Sequence, residues 1–227
     1  IVPIVRPGST SRPFEAVVRE VTEAASAGVP EIVITGVHTG LYGREFEAPS
    51  SLAHLLHVLS GVIKDFRCRL RLSSIEPLEV TDELVNAVAA SSGRIAPFIH
   101  LPLQSGDDGV LERMKRPYRT EDYLAVVERV RNALPRAGIG MDVMVGFPGE
   151  SEAAFEKSLA FMRAIVPVRV HVFPYSERPG TAAAAFDDKV PAGERKRRAR
   201  AAGTEARRAV QAFAESLAGC EVEVIPE

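Results

Sequence analysis

GIGMDVMVGFPGES, residues 138–151, reads as an apolar strand that runs into a tight turn and then a helix start. Val143, Met144 and Val145 close the apolar run, Gly146 and Gly149 flank Phe147 and Pro148, and Ser151 stands where a helix cap belongs. Glycines around a proline let backbone approach a ligand closely. The plainer reading is a strand-to-helix turn and nothing more. Asp142 puts a carboxylate into the strand, and a buried carboxylate needs a partner. It is either a ligand group or half of a structural pair.

The same grammar recurs along the chain. Apolar, β-branched runs at Glu31–Val37, Arg69–Ile75, Pro97–Leu103 and Val168–Phe173 join Gly138–Val145 as expected strands. Between them, Phe14, Val17, Val18 and Val21 repeat at helical spacing, as do Leu84, Val85 and Val88, and Leu124, Val127, Val130 and Leu134. Ser50, Thr81, Thr120 and Ser151 are the expected N-caps, and Gly28 sits at a C-cap position. Strands alternating with helices imply a parallel sheet with right-handed crossovers. Strand starts roughly 30–40 residues apart suit the βα units of a barrel. No strand is followed by GxGxxG, which argues against a doubly wound nicotinamide fold.

Polar vocabulary collects just after the strands, the edge at which parallel α/β proteins bind ligands. Ile34–Gly43 leaves its strand through glycines whose amides can cradle a carboxylate, or which merely form a loop. Ser73–Pro77 sets hydroxyls and Glu76 at a strand end, suited to an ammonium group; the alternative is an ion pair with Arg69 or Arg71. Gln104 and Ser105 make a donor–acceptor pair suited to ribose hydroxyls, with Ser105 equally able to cap a helix. His100 alone reads as a satisfied core or barrel-lining histidine. Tyr175, in the loop Phe173–Thr181, either stacks on a base or plugs the barrel mouth.

Composition bounds the rest. The chain has 227 residues, 46% hydrophobic and 26% charged, enough for one large domain with a sizeable core. A net charge of −2 means that any nucleic-acid surface is local. Such a surface is offered by Arg195, Lys196, Arg197, Arg198, Arg200, Arg207 and Arg208 on a long helix from about Pro191 to Leu217, which reads as a solvated face or as a phosphate-contacting one. Cys68 and Cys220 are the only cysteines and have no metal-ligand spacing. With no apolar run of membrane-spanning length and no signal peptide in residues 1–11, a cytoplasmic protein is expected. The chain opens on Ile1 and a loop, IVPIVRPGSTSRP, which reads as a boundary set within a longer protein.

Six ordered segments together carry a resemblance: VITGVHTGLYG, RLSSIEP, HLPLQSGDDGVLERMKRPY, DVMVGFPGES, HVFPYSERPGTAAA and the basic C-terminal helix. They resemble the radical S-adenosylmethionine (SAM) methylthiotransferases over nearly the whole chain. TGVHTG and SSIEP look most like the branch that modifies N6-threonylcarbamoyladenosine at tRNA position 37. The resemblance implies a partial (β/α)6 TIM-like barrel over residues 1–218, lacking its first strand. Residues 219–227 would be the first strand of a small, TRAM-like RNA-binding β domain.

The family's chemistry uses SAM and two [4Fe–4S] clusters. Here the cysteines of its CxxxCxxC loop would precede Ile1, so the ligands lie outside the chain, no catalytic residue lies within it, and the segment alone is expected to be inactive. The segment Arg6–Arg12 departs from the family's more basic pattern at that place.

Carried over residue by residue, Thr35 and Gly36 would lie near the methionyl part of SAM, and Ser74 and Glu76 at the polar side of the same pocket. Gln104 and Ser105 would face the ribose with Asp142 nearby, and Gly146 and Gly149 would shape the adenine end. His38, Tyr175, Arg178, Arg195, Arg197 and Arg198 would face tRNA. The implied partners are a tRNA anticodon stem-loop and a reducing electron donor, with the protein monomeric. Methylthiolation of isopentenyladenosine or of a ribosomal protein aspartate, and a cluster-less binding module, are the alternatives. An aldolase- or isomerase-like barrel would need a catalytic lysine or acid–base pair at the strand ends, and no lysine is there.

Overall fold

A computed structural model of the chain describes residues 10–48 and 50–225. The opening loop and the segment beginning at Arg6 lie largely outside them. Seven helices and five strands are described: α1 (Phe14–Ser26), β1 (Glu31–Ile34), α2 (Leu52–Val62), β2 (Arg69–Leu72), α3 (Asp82–Ala90), β3 (Phe98–Gln104), α4 (Asp108–Arg113), α5 (Thr120–Ala133), β4 (Gly138–Val145), α6 (Glu152–Ile165), β5 (Arg169–Pro174) and α7 (Ala192–Ser216). The alternation is the one the apolar runs predict. No helix among the described residues is long and apolar enough to cross a membrane.

The residues group into two compact units, one of residues up to His100 with Glu128–Ala137 and the 221–225 segment, the other of Leu101–Val127 with Gly138–Cys220. In the N-terminal unit β1 and β2 pair in parallel with Glu31 opposite Arg69 and Ile34 opposite Leu72. Parallel bridges continue from Leu70 to Ile95 and from Ser74 to His100. Glu31 takes hydrogen bonds from both Arg69 and Arg71. Leu55, Leu56, Leu59, Leu70, Leu72, Leu84, Val85 and Ile95 fill its core at 2% exposure or less. The cap of α2 is Ser51, whose hydroxyl accepts from the His54 amide, in place of the expected Ser50. Thr81 caps α3 as expected, and Gly28 takes a left-handed φ of 84° just past α1.

In the C-terminal unit the sheet order is β3-β4-β5. β4 and β5 run parallel, with Asp142 opposite His171 and Met144 opposite Phe173. Met141, Val143 and Val145 are wholly buried on one face of β4, while Asp142 and Met144 are half-buried on the other. Ser151 caps α6 by accepting from the Ala154 amide.

The apolar stripe of α5 differs from the expected one. Leu124 is 38% exposed, whereas Tyr123 is 0% exposed and Val126, Val127 and Val130 join it. An aromatic carrying a hydroxyl wins the core position because β3 offers that hydroxyl a carbonyl. Tyr123 donates to the Leu101 carbonyl at 3.0 Å and packs edge-on against Phe161 at 5.7 Å. Tyr118 likewise donates to the Pro102 carbonyl at 2.8 Å. Tyr123→Phe should therefore cost about 1 kcal/mol in a denaturant melt. An unchanged midpoint would remove this bond from the account.

Residues 221–225, expected as a strand, are irregular and largely exposed. Alternation alone makes no strand where no partner edge is at hand to take its backbone groups.

Candidate functional site

The strand ends of the N-terminal unit carry a pinned loop. Beyond β1, Thr35, Gly36 and His38 are exposed and a short 3-10 turn, Thr39–Leu41, follows. Thr39 donates to the Ser74 carbonyl at 3.1 Å. Glu79, in a second 3-10 turn just beyond β2, accepts from the Gly40 amide at 3.2 Å and meets His38 Nδ1 at 3.3 Å. Gly40 is required there, since a Cβ would collide with Glu79 Cβ. Ser74 is exposed and Glu76 half-buried at the end of β2. The Ser73 hydroxyl beside them is buried without a hydrogen-bond partner. Glu79 lies outside every motif quoted from the sequence. Ser73 sits inside SSIEP, but Glu79 is 41 residues from the histidine it meets.

The strand ends of the C-terminal unit are built differently. Gln104, last residue of β3, adopts a left-handed φ of 67° and is half-buried. Ser105 is 0% exposed. Its hydroxyl accepts from the Asp107 amide at 3.2 Å and lies 3.4 Å from the Ser158 hydroxyl, so it is spent inside the protein and does not offer itself to a ribose. The cap of α4 is Asp107, held by Lys157. Although burial pushes the Asp107 carboxyl up, hydrogen bonds from Lys157 and the Val110 amide outweigh it, so the group is held below the usual carboxylate range. Asp142 is half-buried beside His171, and His171 stacks on Phe173 at 6.1 Å. Phe173 is 46% exposed, so this face of β4 and β5 carries a polar and aromatic set that the sequence reading found only in Asp142.

Turn 146–150 is clamped by α7. Gly146 (φ 72°) donates its amide to Glu150 Oε1 at 2.9 Å, and Gly149 (φ 83°) donates to the Asp188 carbonyl at 2.9 Å. Arg198 gives two hydrogen bonds to Glu150, at 2.6 Å to Oε1 and 2.8 Å to the carbonyl, and others to Glu194 and Glu152. The Glu150 and Arg198 side chains are 0% and 6% exposed. Burial pushes the Glu150 carboxyl up, against the Gly146 amide and the Arg198 guanidinium, and its Oε2 finds no partner. Hydrogen bonds from Arg197, then Arg198, hold Glu194 down to about 2.

Four residues expected to face tRNA are engaged within the protein instead. Arg198 is no phosphate contact: it is buried, and its charge is committed to carboxylates. Arg195 lies over Gly146 and donates to the Tyr175 carbonyl at 2.8 Å, and Arg197 is exposed but bridges Glu152 and Glu194. Tyr175 packs edge-on against Phe147 at 5.4 Å with its hydroxyl buried, so it fills space instead of offering a face to a base. Arg178 is exposed in its loop. The basic groups left facing solvent on α7 are Lys196, Arg200, Arg207 and Arg208.

Orphaned buried groups test the fit to SAM. The Ser73 hydroxyl sits at a strand tip beside Ser74 and Glu76, a donor–acceptor set that suits an amino-acid moiety. No such fit exists for an iron–sulfur cluster. Cys68 is buried, which pushes its thiol up, Cys220 is exposed, and no metal-binding group of His, Cys, Asp or Glu occurs among the described residues.

Parallel strands with polar groups at their C-terminal ends define an α/β protein of the barrel type. The chain belongs to the Radical SAM superfamily, whose model matches residues 2–162. It is 42% identical over 188 residues to the threonylcarbamoyladenosine tRNA methylthiotransferase MtaB of Thermotoga maritima, covering 83% of this chain and 42% of that one. It is 41% identical over 190 residues to the tRNA-2-methylthio-N(6)-dimethylallyladenosine synthase of a Parafrankia species, covering 84% and 38%. The chain thus spans less than half the length of each. Coproporphyrinogen III oxidase of Escherichia coli shares the fold at a TM-score of 0.64 and 14% identity, over 86% of this chain and 45% of that one. The partial radical SAM barrel expected from the six segments is the fold of this protein.

Proposed function

We propose that the protein is the barrel portion of a tRNA methylthiotransferase that modifies C2 of N6-threonylcarbamoyladenosine at position 37. The observation that supports a tRNA methylthiotransferase is the 42% identity to a threonylcarbamoyladenosine tRNA methylthiotransferase over 83% of the chain. The 41% identity to a dimethylallyladenosine synthase supports a second reading, with isopentenyladenosine as substrate. One percentage point does not separate them, so the branch rests on TGVHTG and SSIEP.

SAM, when bound, supplies the radical and the methyl group of this chemistry. In the N-terminal unit Thr35 and Gly36 would approach its methionyl part, with Ser74, Glu76 and the orphaned Ser73 hydroxyl holding the amino-acid polar groups. In the C-terminal unit Gln104 would face the ribose, with Ser105 acting from behind it through Asp107 and Ser158, and Asp142 nearby. Gly146 and Gly149 would give the turn its shape at the adenine end. The full-length protein would hold two [4Fe–4S] clusters on ligands outside the described residues, take electrons from a reducing donor and act as a cytoplasmic monomer. Lys196, Arg200, Arg207 and Arg208 are the phosphate contacts proposed for the anticodon stem-loop, with Arg178 beside the substrate.

Mass spectrometry of tRNA nucleosides from a strain lacking the gene tests the assignment. The methylthio group should vanish from the threonylcarbamoyl base while the isopentenyl base keeps its own. The reverse pattern would transfer the protein to the second branch, and two unchanged nucleosides would end the tRNA reading.

A further inference from the structure

His38 is a half-exposed imidazole that the fold takes trouble to aim. Its Nδ1 meets Glu79 Oε1 at 3.3 Å, and the side chains are 50% and 12% exposed respectively. Glu79 is itself fixed, because its second oxygen accepts from the Gly40 amide at 3.2 Å. Gly40 lacks the Cβ that would push Glu79 away. Thr39, between them, is tied to the Ser74 carbonyl at 3.1 Å. Three consecutive residues are thus locked onto the loop beyond β2, and the one whose side chain stays accessible is the histidine.

A carboxylate on Nδ1 settles which ring nitrogen holds that proton and turns Nε2 outward. Nε2 has no hydrogen-bond partner among the described residues. A solvent-facing imidazole held by a largely buried carboxylate is poor economy for stability, since an exposed pair of this kind is worth little. It is a good device for meeting a polar group of a ligand in one orientation. Its place is the C-terminal edge of parallel strands, where ligands of such folds bind.

We infer that His38, positioned by Glu79, reads the N6 substituent of the substrate base by accepting at Nε2 a hydrogen bond from the threonyl hydroxyl. This rests on the tRNA reading above. A threonylcarbamoyl group carries a hydroxyl able to donate to that nitrogen, whereas an isopentenyl group is hydrocarbon and offers no partner. A site built to bond a polar group rejects an analogue that lacks it, because the bonding group is then left unpaired. His38 is therefore a specificity-determining residue, and Glu79 a positioning one.

The test is the affinity of the full-length protein for three synthetic anticodon stem-loops, bearing threonylcarbamoyladenosine, isopentenyladenosine or plain adenosine at the same position. Wild type should prefer the threonylcarbamoyl stem-loop to the isopentenyl one by about tenfold, the effect of one such hydrogen bond. His38→Ala should bring the two within about twofold while leaving the plain stem-loop unchanged, a result that a loss of fold would not give. Glu79→Gln should shrink the preference part of the way, and His38→Asn should restore some of it. A full preference kept by His38→Ala overturns the inference and leaves the substrate reading standing. A full-length wild-type protein that binds all three stem-loops equally, prefers the isopentenyl one, or binds none sinks that reading and the inference together.

Discussion

Arg198→Ala should lower the stability of the chain by roughly 3–5 kcal/mol, the usual cost of breaking a buried ion pair from one side. The loss is large because of what stays behind. Glu150 keeps a fully buried carboxylate whose Oε1 retains only the Gly146 amide and whose Oε2 already has no partner. For a protein of this size that corresponds to a fall in Tm of about 10 °C. The double variant with Glu150→Gln separates a lost charge pair from lost packing. Neutralising the stranded carboxylate should recover part of the stability, giving a clear coupling between the two sites. A single variant within about 0.5 kcal/mol of wild type would mean that α7 does not clamp turn 146–150 at all.

Gly106→Ala is the second severe substitution, expected to cost about 3 kcal/mol as an overpacking defect. The added Cβ would stand 2.7 Å from Ser158 Cα and 2.9 Å from the Lys157 carbonyl. Both are backbone of α6 and cannot swing aside as a side-chain tip does. The Gly106 amide, which donates to the Ser158 hydroxyl at 2.9 Å, would be displaced along with it. Ser158→Ala provides the comparison: it removes that bond without adding volume, and should cost nearer 1 kcal/mol. Equal effects in thermal melts would show that the hydrogen bond, not the close approach, is what Gly106 serves.

The strands were legible because buried parallel strands write themselves as near-continuous β-branched runs. β4 was read end to end from Gly138 to Val145. β2 was read too long because Ile75 is buried, at 2% exposure, yet lies beyond the strand. Burial outlasts pairing at a strand end, and composition records only the first. On α5 a count of aliphatics chose Leu124 over Tyr123, because the β3 carbonyl that accepts the tyrosine hydroxyl is invisible in a periodic pattern. The site was legible as a set of strand-end motifs, but not the division of labour within it. The arginines of α7 read as one solvated or phosphate-seeking run, and only the tertiary fold withdraws Arg198 to meet Glu150, 48 residues away. His38 was noticed without Glu79, since nothing in SSIEPLE marks its last residue as a partner for a distant ring.

Gln104 ends β3 in a conformation that a side-chain-bearing residue adopts at a cost of about 1 kcal/mol. That cost is met once, when the chain folds, and is held there by Ser105 and its neighbours. The chain thus leaves β3 in one fixed direction, with one backbone rotation fewer to freeze in any later event. Replacing the glutamine by glycine would make the turn effortless and forfeit that fixity.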